Sequence, residues 1–333
     1  MKLDEIIGKI RSVVDSHRLD EGSYARWIWN NVSGSRDLGR SEYGCADAAN
    51  ILYTIGDFVR EPEKRQIWVR NLQDMQNPET GLFSEPTHHT FHTTAHCVSA
   101  LELFDALPRY PLRGLEPYLD IPNLYALLEG LDWANRPWPQ SHQGAGVFAA
   151  LSVTREADEN WTNAYFDWLS SHCDPETGIG IGNRPGEALL CHRLFGWFHY
   201  LFNHEYARRP FPYAEKLIDS CIDLYKNRAL SPNPNVPFGR EIGFVEIDWI
   251  FALNRATRQT PHRFYEAKDL LLDCGKGFVS YLEGLDEKKD DGMNDLHMLF
   301  GAVCALSELQ LALPGEFSST VPLKNPLDRR PFI

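Results

Sequence analysis

Nowhere in its 333 residues does the chain carry a run of about 18 apolar residues, so nothing in it reads as a membrane span. A secretory leader pattern is also missing. Met1-Lys2-Leu3-Asp4-Glu5-Ile6-Ile7 carries charges where a signal peptide would be apolar, and the expected location is cytoplasmic. Basic runs are lacking too: Lys288-Lys289 stands between Glu287 and Asp290, and 33 Lys+Arg against 46 Asp+Glu leave a formal net charge of -13. That balance speaks against a nucleic-acid or anionic-membrane partner. The seven cysteines, Cys45, Cys97, Cys173, Cys191, Cys221, Cys274 and Cys304, are odd in number, widely spread and mostly inside apolar stretches. They predict buried, reduced thiols instead of a disulfide framework. Strand-period alternation of useful length is absent, which excludes a sheet as the organising element. A small molecule or an oligosaccharide is the ligand class left, and nothing in the residues indicates an oligomeric state.

What the chain does have is an internal repeat. Asn77-Pro78-Glu79-Thr80-Gly81-Leu82-Phe83 returns as Asp174-Pro175-Glu176-Thr177-Gly178-Ile179-Gly180. Each copy lies between a Trp-containing amphipathic stretch and a more apolar helical one, and further helical stretches fall at about half the interval, so the unit is a helix pair of about 50 residues. Apolar helical segments are predicted at 44–56, 92–106, 143–156, 187–203, 245–257 and 294–311. Amphipathic ones are predicted at 3–17, 59–75, 122–135, 159–172, 212–228 and 263–284. Alternation of the two kinds predicts an all-α fold, an (α/α)6 barrel or toroid of six helical hairpins with the apolar helices as its inner ring. One domain would span 1–333, with about 320–333 as an extended C-terminal tail.

Gln76 followed by Gly81 and Phe83, then by the helix Thr93-Thr94-Ala95-His96-Cys97-Val98-Ser99-Ala100-Leu101, resembles the repeat of the terpenoid cyclase and protein prenyltransferase β-subunit superfamily. The spacing departs from that repeat by one residue, and the second copy has His172 and Gly180 where Gln and an aromatic would stand. The six-hairpin glycosidases and polysaccharide lyases share the architecture, so the resemblance implies a toroid and leaves the chemistry open.

In such a ring the inner helices run parallel and gather their N-termini at one mouth, where backbone N–H groups favour anions. Polar residues at the predicted starts are therefore the candidates: His88, His89, His92 and His96; His142 and Gln143; Glu187, His192 and Arg193; Glu246 and Asp248; Asp295 and His297. The first helix, with Asp47, contributes least. His92 and His96 stand at i and i+4 on one face, a spacing that suits acid/base work, substrate contact or a metal. The prenyltransferase family holds zinc with an Asp and a Cys two residues apart and a His from the next repeat. Glu246, Asp248 and His297 are similar in layout, with Asp248 at the Cys position, so the resemblance implies a harder metal site unsuited to a thiolate substrate. The Asp-x-Asp-Asp acid motif of class II terpenoid cyclases is absent, and Asp290-Asp291 reads as a solvated charge run. Cys191-His192 resembles the zinc ligands of lanthipeptide cyclases without the rest of that family's motifs.

A mouth of His, Glu, Asp and Arg bordered by Trp27, Trp29, Trp138 and Trp249 suits a polyhydroxylated substrate, so the expected function is a carbohydrate-active enzyme. As a glycoside hydrolase it would pair Glu246 or Asp248 with Glu187 or Asp295 as acid and base or nucleophile. As a uronide lyase or epimerase it would use His92, His96 or Tyr43 to move the proton α to the carboxylate, with Arg193 or Arg240 as the carboxylate partner. The alternatives are a cyclase- or prenyltransferase-like enzyme with the Glu246/Asp248/His297 metal site, and a non-catalytic toroid whose concave mouth binds a peptide or partner. No organic cofactor is expected, and room remains for a divalent metal. Gly178-Ile179-Gly180-Ile181-Gly182 follows a helix instead of a strand and reads as a turn, not a dinucleotide loop, while Gly144-Ala145-Gly146 suggests close helix packing.

Overall fold

A computed structural model gives the structure of the protein and describes all residues except 33, 181–185 and 234. Two residues of the glycine-rich turn, Ile181 and Gly182, therefore lie outside the described residues. Each of the twelve segments expected to be helical contains a helix. In chain order these are α1 (Asp4–Ser16), α2 (Glu42–Ile55), α3 (Pro62–Gln73), α4 (Thr90–Glu102), α5 (Ile121–Gly130) and α6 (Pro137–Val153). The second half continues with α7 (Glu159–His172), α8 (Leu190–Tyr206), α9 (Ala214–Lys226), α10 (Val245–Ala256), α11 (Phe264–Gly284) and α12 (Leu296–Ala312). The only strands among the described residues are an antiparallel pair, β1 (Arg18–Asp20) and β2 (Ser23–Tyr24), too short to leave an alternating pattern in the sequence.

Burial separates the two kinds of helix as their composition dictates. Every residue of α10 is buried, and α2, α4, α6, α8 and α12 come close to that, because helices that are apolar nearly all round can be accommodated only in an interior. The odd-numbered helices bury a single stripe, such as Ile6, Ile7, Ile10, Val13 and Val14 of α1. Among the even-numbered helices α2 packs on α4, α4 on α6, α6 on α8, α8 on α10, α10 on α12, and α12 on α2. The odd-numbered helices lie against this set, α3 on α2 and α4, α9 on α10, and α11 on both α10 and α12. Within it, Gly144 and Gly146 permit a close approach: a Cβ at Gly144 would meet Leu128 Cδ2 at 2.4 Å, and one at Gly146 would meet the Phe91 carbonyl oxygen at 2.8 Å.

The two repeat copies fold into the same loop. Asn77 Oδ1 accepts from the backbone of Glu79 and Thr80, and Asp174 Oδ1 accepts from that of Glu176. Gly81 N donates to Asn77 O and Gly178 N to Asp174 O, both at 2.8 Å. The two glycines have φ of +73° and +69°, the left-handed region that a side chain disfavours. Gln76 completes the first copy by donating to the carbonyls of Gly81 and Tyr110.

The stretch read as an extended tail runs across the C-terminal ends of the buried helices. Lys324 N donates to Thr54 O of α2, Arg329 pairs with Glu102 of α4, and Asn203 of α8 donates to Pro331 O. Arg330, Phe332 and Ile333 are buried, Phe332 with its ring 5.0 Å from that of His92. All seven cysteines are free and buried. Among the described residues no helix is long and apolar enough to cross a membrane.

Candidate functional site: a histidine-lined cavity

The N-terminal parts of α4, α6 and α12 and the middle of α8 bring half of the chain's twelve histidines to one cavity of about 740 Å³. His88, His89 and His92 come from the start of α4, His142 from α6, His199 from α8 and His297 from α12. Helix chemistry puts them there. His89 caps α4 by accepting from Phe91 N, and Asp295 caps α12 by accepting from His297 N at 3.0 Å. His92 and His297 then follow in the first turn of their helices.

His88, His92 and His297 are each oriented from behind. Tyr43 Oη lies 2.5 Å from His92 Nδ1. His88 Nδ1 lies 2.7 Å from Thr87 Oγ1, whose hydroxyl also donates to Glu85. His297 Nδ1 lies 3.3 Å from Asp47 Oδ1 and 3.2 Å from Asp47 Oδ2. His96 Nε2 reaches the same Asp47 Oδ1 at 2.8 Å. Across the cavity, His142 meets His92 edge to face at a ring distance of 4.8 Å, and His199 Nδ1 lies 2.8 Å from Ser141 Oγ. His142 is 8% exposed and its Nε2 has no hydrogen-bond partner.

Burial sets the charge states. It pushes His92 and His142 well below the usual imidazole range, and the neighbouring histidines add to the effect. It brings His199 and His297 down to about 3, although Asp47 works in the opposite sense on His297. These rings are therefore neutral at pH 7, with a lone pair available. Burial alone would raise Asp47, but His297 and His96 hold it below the carboxylate range, so it stays ionised. Arg26 donates to both oxygens of Asp295, at 2.8 and 2.9 Å, and to Thr87. Arg136, Trp138, Gln140 and Gln143 complete the polar wall, and among the described residues no Asp or Glu lines the cavity.

Of the residues expected to share a site, His88, His89, His92, His142, Gln143 and His297 line the cavity, and Tyr43 touches it through His92. His96 stands one turn deeper, against Asp47. The carboxylates do not converge here. Glu187 is exposed, and Asp295 is occupied by Arg26. Glu246 and Asp248 are two residues apart on α10, so the helix turns them about 200° from each other. Glu246 faces α11 with Oε1 accepting from Gly239 N at 3.0 Å, while Asp248 is fully buried, without a hydrogen-bond partner, close to Trp138. His297 belongs with Asp47 and the histidines, so Glu246, Asp248 and His297 form no ligand cluster. Among the described residues the groups whose ligand atoms lie within 4.8 Å of one another are His88/His92/His297 and Asp47/His96/His297. Trp249 points toward α9, donating to Cys221 O and stacking on Tyr225, and neither His192, Arg193 nor Arg240 lines the cavity.

Sequence reasoning missed Asp47, Arg26, Thr87, His199 and the segment bearing Phe332 and Ile333, the last of which lines the cavity floor. Asp47 was visible only as an isolated acid on an apolar helix.

Glu246 makes a pH signature of its own. Burial raises its pKa to about 7, above its unfolded value, so the folded protein holds a proton that the unfolded chain releases between about pH 4.5 and 7. Stability is therefore expected to fall as pH rises through that window, by roughly 2–3 kcal/mol from pH 5 to pH 8. Urea unfolding should show this fall in the wild type and lose that part of it in Glu246→Gln. An unchanged slope would mean that Glu246 ionises freely in the fold.

No protein-family model, curated protein or solved structure matches the chain.

Proposed function

We propose that the six buried helices close into an (α/α)6 barrel and that the protein is a carbohydrate-active enzyme of the uronide lyase or epimerase type, acting at the histidine-lined mouth. The closing contact of α12 on α2 supports the barrel. The observation that carries the activity is the composition of the wall, which among the described residues has six histidines, two arginines, two glutamines and Trp138 and no carboxylate. A glycoside hydrolase needs two carboxylates flanking the scissile bond. This wall offers none, and offers instead neutral imidazoles to take a proton and arginine to receive an acid group.

In this reading His142 takes the proton from the carbon α to the uronate carboxylate, because its ring lines the cavity, is neutral, and carries a buried Nε2 without a hydrogen-bond partner. Arg136 at the rim receives the carboxylate, and the negative charge that develops on it in the transition state strengthens that contact, while Arg26 stays held by Asp295 and Thr87. Gln140, Gln143 and the Trp138 ring suit sugar hydroxyls and a sugar face. Lysis and epimerisation share this first step.

The test is a panel of uronides set beside the matching neutral sugars and methyl esters. The expected result is turnover confined to the free acids, with KM rising in Arg136→Ala. Hydrolysis of neutral glycosides that depends on Asp248 would contradict the reading.

A further inference from the structure

We propose that His88, His92 and His297 form a divalent transition-metal site of zinc class at the cavity wall, with their three Nε2 atoms as ligands. The inference does not depend on the substrate class proposed above.

Three observations point to it. First, the second nitrogen of every ring is already engaged: Nδ1 of His88 with Thr87, Nδ1 of His92 with Tyr43, and Nδ1 of His297 with Asp47. The Asp47 carboxylate, and the Thr87 hydroxyl that itself donates to Glu85, make Nδ1 the donor in His297 and His88 and leave Nε2 as the acceptor, which is how ligating histidines are held, while Tyr43 engages Nδ1 of His92. Second, the rings converge, with centroids 4.7 Å apart for His88 and His92, 5.0 Å for His88 and His297, and 5.8 Å for His92 and His297. Zinc–nitrogen bonds of about 2.0–2.1 Å in a tetrahedral site set ligand atoms about 3.3 Å apart. One nitrogen from each ring lies within 4.8 Å of the others, a spread that a small shift of His88, on the loop before α4 and only partly buried, closes with its Nδ1 still on Thr87. Third, all three rings line the cavity, so an ion can enter and a fourth position faces open space.

The second cluster, Asp47, His96 and His297, is a different kind of arrangement. Its carboxylate sits at hydrogen-bond distance from both imidazoles, 2.8 Å from His96 and 3.2 Å from His297, so these groups already satisfy one another, and neither Asp47 nor His96 lines the cavity. Asp47 instead acts through His297 as a positioning residue. A wholly imidazole donor set favours zinc or its neighbours in the first transition series over magnesium or calcium.

The test uses the purified full chain, stripped with chelator and titrated with Zn²⁺ and with Co²⁺. One equivalent is expected to bind, and Co²⁺ should give the visible absorption of a tetrahedral nitrogen site. His88→Ala, the replacement least able to disturb the fold, is expected to weaken Zn²⁺ binding at least 100-fold with unchanged helical circular dichroism. His92→Ala and His297→Ala should do the same, while His172→Ala on the outer surface should bind as the wild type does. Asp47→Asn should weaken binding roughly 10- to 100-fold, as loss of a ligand's hydrogen-bond partner does. Absence of stoichiometric binding would overturn the proposal, and so would loss of binding in His96→Ala with full binding in His88→Ala. Uronide turnover by metal-free protein would leave the function reading standing while the metal outcome is decided by titration alone.

Discussion

Replacing His142 with glutamine is expected to lower kcat/KM on a uronide by roughly 10²–10⁴-fold, the usual worth of a positioned general base. Its Nε2 has no partner in the protein, so the substitution strands no buried donor or acceptor, and the side chain's contacts are edge-on ring contacts with His92 and His199. Glutamine fills similar space and offers no basic nitrogen. Thermal unfolding should therefore move little while activity collapses, a split that a purely structural histidine would not produce. Asp248→Asn is the companion measurement. Asp248 stands behind Trp138 with its pKa raised well above the carboxylate range, chiefly by burial and then by Glu246. It is held protonated and off the cavity wall, so the amide should retain activity. A dead Asp248→Asn beside an active His142→Gln would exchange the proposed roles for those of a glycosidase.

The second large effect concerns the opposite ends of the buried helices. Arg255 of α10 donates to both oxygens of Glu308 on α12, at 2.7 and 2.8 Å, with 1% and 0% of the side chains exposed. The same guanidinium reaches Asp328 at 2.6 Å and Glu205 at 3.0 Å, and Asn254 donates to Glu308 at 2.6 Å. Removing Glu308 strands Nε and Nη2 of the buried guanidinium while Asp328 and Glu205 still meet Nη1, so Glu308→Ala is expected to cost about 3 kcal/mol in urea unfolding, the low end for a broken buried pair. The double variant Arg255→Met/Glu308→Leu should recover most of that loss, because Asp328 and Glu205 are partly exposed and can hydrate once the arginine is gone. If Glu308→Ala and the double variant were equally unstable, the loss would come from packing and not from the stranded charge.

Much of the fold was legible because helices that are apolar all round and helices with one apolar stripe carry different signatures over ten or more residues. The Asn77–Phe83 repeat marked the turn between them, and its second copy proved to make the same backbone hydrogen bonds. The histidines of α4 were legible as well, since i and i+4 share a face. Less legible was that His92 opens on the cavity while His96, a turn deeper, turns to Asp47. The partnership of Asp47 with His96 and His297 joins residues from three helices far apart in sequence, and no local spacing encodes it. Glu246 and Asp248 illustrate the opposite error. Both are buried acids near a helix start, yet a separation of two within a helix sends side chains to different faces, and here Glu246 meets Gly239 while Asp248 lies by Trp138. The passage of Arg330 and Phe332 into the interior was invisible because a short irregular segment has no periodicity to read.

The central claim is that a cavity histidine removes a proton from the carbon next to a carboxylate. Incubation of the protein with a uronide in deuterated water, followed by mass spectrometry or NMR of the recovered sugar, reads that step directly. Deuterium is expected at the α carbon of recovered substrate or epimer, or a C=C bond in place of the α C–H in the eliminated product, with the wild type but not with His142→Gln. Turnover of the sugar by the wild type with the α C–H intact would contradict the account.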